Sequence, residues 1–191
     1  LAWVLTASAA PSFAMTLMQA KFVCPIGGER FKQEVVASST QFGTNLDLKP
    51  NGPTPAPWPL IECPKNGFVF QDGKEFTSAE KATLAPFVAS AEYQAMVAAK
   101  ESTYFRAAML ARHVDPKADV AWTLLRATWQ VDADPALYRR YAEAALQAFR
   151  DNPAPADPAE VETNMLVMAE LLRRLERFGE ANAALRAMPV P

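Results

Sequence analysis

The chain has two cysteines and one histidine among its 191 residues. Within a single chain those side chains cannot complete a four-ligand structural zinc site of the usual Cys/His kind. An excess of either charge is also missing. Nineteen Lys and Arg stand against 21 Asp and Glu, a formal net charge of −2, so nothing electrostatic argues for nucleic acid or an anionic membrane as a partner. No Gly-rich phosphate loop, His-Glu-x-x-His pair or Gly-x-Ser-x-Gly elbow occurs. No catalytic residue and no cofactor is assigned. What the chain does have is apolar material for a core, with 50% hydrophobic residues.

Long uncharged runs are scarce too, with one exception at the start. Residues 1–18 carry no charge, and Ser12-Phe13-Ala14 fits the small-x-small rule for signal peptidase behind an apolar stretch over 1–11. Residues 1–14 are expected to be an export signal, truncated at its start, since no basic n-region precedes the apolar stretch and the first residue is Leu1. The alternatives are an ordinary N-terminal helix and an uncleaved anchor. An anchor of about 18 residues barely spans a bilayer and would have to tolerate Pro11.

Glycine is confined to one region. Six of the seven glycines lie between residues 27 and 73, and Pro50, Pro53, Pro55, Pro57, Pro59 and Pro64 crowd the same part. Proline removes a backbone donor and clashes with the preceding turn, so no helix persists there. Short β-like runs at 31–36, 45–48, 60–61 and 68–70 sit between these breakers. Residues 20–76 are expected to form a small β/loop domain.

After residue 76 the period changes to that of helices, and residues 77–191 are expected to be all-α, an α+β chain overall. Thr77-Ser78-Ala79-Glu80 reads as a capping box. Asp115-Pro116, Asp134-Pro135 and Asp157-Pro158 read as three further helix starts, each with a carboxylate N-cap and proline at the first helical position. Tyr104, Ala108 and Ala111 mark one face, Trp122, Leu125 and Trp129 a second, and Met165, Met168, Leu172 and Leu175 a third. The stretch from Met168 through Phe178-Gly179-Glu180-Ala181 resembles the middle of a tetratricopeptide repeat, where one helix ends near a glycine and the next resumes with Glu-Ala. Alanines at 169, 181 and 184 would let two such helices approach closely. A simple helical bundle is the other reading.

Two turns share one pattern, apolar-x-Cys-Pro-x-x-Gly: Phe22-Val23-Cys24-Pro25-Ile26-Gly27-Gly28 and Ile61-Glu62-Cys63-Pro64-Lys65-Asn66-Gly67. With the helical body behind them, the chain resembles an uncharacterised bacterial family that places two Cys-Pro-x-Cys-Gly zinc-ribbon knuckles ahead of a tetratricopeptide-like region. The resemblance implies a zinc-ribbon-like head, with Cys24 and Cys63 at the first ligand position of each knuckle. Gly27 and Asn66 stand where the second cysteines would be, both residue types that accept unusual backbone angles. In a ribbon the two first-ligand sulfurs lie side by side, so the resemblance implies a Cys24–Cys63 disulfide in place of the metal. An oxidising compartment and an even cysteine count fit that pairing. Two free buried thiols and a zinc shared between two chains remain as alternatives.

Other candidates have plainer readings. His113 falls at the end of an expected helix, where a cation complements the dipole. The polar run 38–45 around Phe42 reads as a hairpin loop. Residues 53–59, with Trp58, read as a connection packed on its own domain or as a polyproline ligand. The expectation is a periplasmic or secreted, non-enzymatic scaffold whose partner is another envelope protein or peptide. Membrane contact enters only if residues 1–14 stay attached. The rival is a small-ligand binder or enzyme using a cleft between head and body.

Overall fold

The computed structural model describes residues 15–153 and 155–188. The expected signal at 1–14 lies outside them. Six strands precede seven helices among the described residues, an α+β chain with a helical body. Strands β1 (Met15–Val23) and β2 (Arg30–Ser39) form an antiparallel ribbon with Phe22 opposite Phe31 and a bulge at Thr16/Leu17. Two short hairpins follow, β3 (Gly43–Thr44) with β4 (Pro50–Asn51) and β5 (Ile61–Glu62) with β6 (Val69–Phe70).

The expected strand at 45–48 is instead a tight turn between β3 and β4. Leu48 takes a φ of 65°, and its amide bonds back to the Asn45 carbonyl. The Asp47 carboxylate accepts the Lys49 amide at 3.1 Å, the local bond by which aspartate competes with strand pairing. Residues 53–59 lie along β2. The Trp58 indole N–H donates to the Glu34 carbonyl, and the Gln33 amide bridges Leu60 and Glu62. The stretch is a strap on its own domain.

The helices are α1 (Ser78–Val88), α2 (Ala91–Ala98), α3 (Thr103–Val114), α4 (Ala121–Gln130), α5 (Pro135–Asp151), α6 (Pro158–Arg174) and α7 (Phe178–Arg186). Thr77 and Glu80 form the capping box, and Asp134 and Asp157 cap α5 and α6, each with proline at the helix start. Asp115-Pro116 does not start a helix. Asp115 is the C-cap of α3, and its carboxylate turns to accept the Lys117 amide at 2.9 Å. The next helix waits until Ala121, with Asp119 accepting that residue's amide. Past the C-cap of α6, Leu175, the chain turns at Glu176, left-handed at φ 62°, whereas Gly179 already lies inside α7. No helix among the described residues is long and apolar enough to cross a membrane.

Two buried clusters hold these elements. One gathers Cys24, Ile61, Cys63, Phe68, Val69 and Phe70 with Leu84, Phe87, Val88, Tyr93 and Leu110, so it draws on both sides of residue 76. His113, in the last turn of α3, lies flat on Phe87 at 4.0 Å. The other cluster joins α3 to α7 through Leu124, Leu125, Trp129, Leu146, Val167, Leu171 and Leu175, with Ala181 buried where α7 meets it. Each helix from α3 onward packs on its neighbour in sequence. Polar contacts tie head to body. Arg106 of α3 grips both oxygens of Glu62 at 2.9 and 2.8 Å, and Arg174 of α6 reaches Asp47 at 3.1 Å and Asp132 at 3.0 Å. Lys49 pairs with Asp132.

Ahead of α3, Glu101 is buried and receives the Arg140 guanidinium and the Tyr141 hydroxyl. Burial alone would raise its carboxyl, but these bonds outweigh it and hold the group below the ordinary 4.5. A depressed folded value contributes stability that is present above the unfolded value and lost as pH falls through the folded one. Chemical unfolding followed from neutral pH downward should therefore show a steeper acid loss in the wild type than in Glu101→Gln. The difference should reach at most about 1.4 kcal/mol per pH unit, since one proton is involved.

Candidate functional site at the paired Cys-Pro turns

The two Cys-Pro turns have one backbone design. In the first, the Cys24 amide donates to the Glu29 carbonyl at 2.9 Å and the Gly28 amide returns to the Cys24 carbonyl at 2.9 Å. In the second, Cys63 donates to the Phe68 carbonyl at 2.8 Å and Gly67 returns to Cys63 at 2.9 Å. Each closes on a left-handed glycine, Gly28 at φ 72° and Gly67 at φ 69°. The left-handed residues are thus the two glycines that end the shared pattern. Neither Gly27 nor Asn66 has a positive φ, so their tolerance of unusual backbone angles is not what preserves the turns.

What Gly27 and Asn66 contribute is space and hydrogen bonds. The Gly27 amide points at the Cys24 sulfur at 3.2 Å. Asn66 accepts the Phe68 amide at 2.9 Å through its side-chain oxygen and turns its amide nitrogen toward the Cys24 sulfur at 3.9 Å. The two sulfurs are bonded to each other. Cys24 and Cys63, with Cα atoms 5.5 Å apart, form a disulfide that closes a separation of 39 residues. Both cysteines are buried at about 1% exposure or less. In the chain-entropy account such a closure stabilises by about 4 kcal/mol.

Beside the sulfurs lies Glu29, a head carboxylate that nothing in the sequence pairs with a partner. The Glu29 carboxylate folds over the first turn, and both of its oxygens are buried without a hydrogen-bond partner. A side chain at position 27 would run into that carboxylate, so the space beside Gly27 is filled by Glu29. Cys24, Cys63 and Glu29 bring their ligand atoms within 4.8 Å of one another. These residues still do not make a zinc site. The disulfide leaves no thiolate, and neither Gly27 nor Asn66 supplies one. Glu29 stands directly after Gly27-Gly28, but nothing in the sequence places its carboxylate beside Cys63.

The second turn is the one anchored to the helices. The Gly67 carbonyl accepts both the Tyr93 hydroxyl and the Arg106 guanidinium at 2.8 Å, and the Asn66 carbonyl accepts Gln94 at 2.9 Å. A side chain on Gly67 would collide with Val97, so the turn sits directly on α2. Burial pushes the Tyr93 hydroxyl up to about 12, which keeps it a neutral donor to Gly67. The disulfide then carries this anchorage across to the first turn and its ribbon. A buried disulfide with no adjacent thiol is poorly placed for exchange chemistry and well placed for structure.

Elsewhere, the candidate residues are dispersed. His113 is occupied with Phe87, Trp129 is buried in the body, and Trp122 packs edge-on against Phe149. No family model, curated protein or solved structure matches this chain.

Unreduced protein should weigh two mass units less than reduced protein by intact mass spectrometry, consistent with the loss of two hydrogens. Replacing both cysteines by alanine should cost about 2–5 kcal/mol in chemical denaturation. Buried polar atoms without a hydrogen-bond partner are costly, so the apolar, similarly shaped Glu29→Met should stabilise by about 1 kcal/mol, read as a higher denaturation midpoint.

Proposed function

We propose that the chain is an exported, disulfide-stabilised scaffold whose helical body binds another envelope protein or a peptide. The observation that carries this reading is an open groove on the body. Residues of α4, α5 and α6, with the loop before α6, enclose about 490 Å³, lined by Trp122, Phe149, Asn152, Glu160, Thr163 and Asn164. An aromatic pair beside amides and hydroxyls offers apolar contact and backbone-directed hydrogen bonds together, the mixture an extended peptide needs. Helices that pack on their sequence neighbours build such grooves as the stack lengthens. The tetratricopeptide-like sequence of the last helix pair agrees with this. The paired turns ahead of it agree with a degenerate member of the zinc-ribbon family. Periplasmic or secreted placement is supported by the disulfide, which persists in oxidising compartments.

A second reading rests on the seam between head and helices. Phe68, Phe70, Leu84, Tyr104 and Leu110 line a cleft of about 270 Å³ beside Lys74 and Arg126, slightly under the usual range for small-molecule sites. Affinity capture from the native envelope fraction separates the two. A reproducible protein partner that Asn164→Arg abolishes supports the scaffold. Capture unaffected by that substitution, with a small molecule retained in native mass spectrometry, supports the seam instead.

A further inference from the structure

The β1–β2 ribbon is closed along one edge and open along the other. In an antiparallel ladder, residues alternate between pairs that exchange backbone hydrogen bonds and pairs whose N–H and C=O point away. The phase is set at the turn, where the Cys24 amide donates to the Glu29 carbonyl. Counting back along the register, Phe22 with Phe31 and Ala20 with Gln33 are bonded pairs. Val23, Lys21, Gln19 and Leu17 therefore turn their backbone groups outward, as do Arg30, Lys32, Glu34 and Val36 on β2. The Trp58 indole bonding to the Glu34 carbonyl confirms that phase independently. On β2 the outward edge is covered by the strap. On β1, among the described residues, no strand lies alongside.

An open edge on a strand of nine residues invites another strand, and natural proteins usually blunt such edges with proline, bulges or several charges. β1 carries a single charge, Lys21, and no proline. Its bulge lies at the Thr16/Leu17 end, outside the central stretch. Met18 is 52% exposed on the same strand face as half-buried Ala20 and Phe22, so an apolar face continues past the point where Phe70 covers it.

We propose that this edge pairs with the β1 edge of a second copy of the chain, antiparallel about a two-fold axis through Gln19, giving a four-stranded sheet in the order β2–β1–β1–β2. The strand is self-complementary in that register. Gln19 meets its own image, so the two side-chain amides can bond to each other. Met18 falls opposite Ala20, large against small, which covers the exposed thioether. Lys21 falls opposite Leu17 and never opposite itself, so the single charge of the strand creates no like-charge pair. Every outward residue meets an outward residue, which the hydrogen-bond alternation requires. The pairing is isologous and closes at two copies, because β2 and its strap block further addition. It is independent of what the helical groove binds.

The test is sedimentation equilibrium of the full chain across roughly 1–100 µM, a range over which a dimer of this kind changes population. Twice the mass of one chain at the upper end is expected, and a monomer throughout would overturn the proposal. Gln19→Pro removes an N–H that the β1–β2 ladder does not use, so it should keep the thermal melt while abolishing the dimer. A dimer that survives Gln19→Pro would also overturn it. The register has its own test. Leu17→Lys places like charges opposite each other twice and should weaken dimerisation about fivefold or more, whereas Leu17→Glu should tighten it. Equal effects of the two charges would contradict pairing about Gln19.

Discussion

The Cys24–Cys63 bond joins the two parts of the N-terminal half that nothing else joins as firmly. One turn is anchored to the helical body by three hydrogen bonds, from Tyr93 and Arg106 to Gly67 and from Gln94 to Asn66. The other turn carries the long β1–β2 ribbon, whose sheet contains no third strand among the described residues. A two-stranded ribbon is marginal by itself in water. Its position depends on the covalent link, on the aromatic packing of Phe22 against Phe31 and Phe70, and on the hydrogen bonds of Gln33 and Glu34 to the strap and β5. The disulfide thus holds the two turns face to face.

Each turn is completed by a different neighbour. In the first, Glu29 fills the space beside Gly27, and its carboxylate oxygens have no hydrogen-bond partner. In the second turn Asn66 uses its side chain twice, to Phe68 and toward Cys24, and so braces the turn. The backbone hydrogen bonds of both turns are the same despite these differences. Turn geometry and ligand chemistry are therefore separable, and the left-handed glycines at 28 and 67 carry the geometry.

How much of this was legible follows the range of each interaction. Thr77 with Glu80, Asp134 and Asp157 act over two or three residues, so their sequence neighbourhood contains the whole interaction and the helix starts could be read. Asp115 was misread for the same reason: an aspartate before proline also closes a turn, and only the extent of α3 decides between the two. The strand expected at 45–48 failed because Asp47 bonds locally and then serves Arg174, a residue 127 positions away. The cysteine pairing was legible only through the family resemblance that the repeated turn pattern carries, with free thiols and a shared zinc left open beside it. Glu29 over the sulfurs and Arg106 on Gly67 were not, since each depends on segments brought together only by the fold.

Hydrogen exchange of the native protein, compared before and after reduction of the disulfide, addresses the central claim directly. If the bond pins the ribbon to an independently anchored turn, reduction should strip protection from the amides of Cys24, Gly28 and the β1–β2 ladder. The amides of α5 and α6, in the other buried cluster, should keep theirs. Unchanged protection in the ribbon, or an equal loss in α5 and α6, would contradict the account.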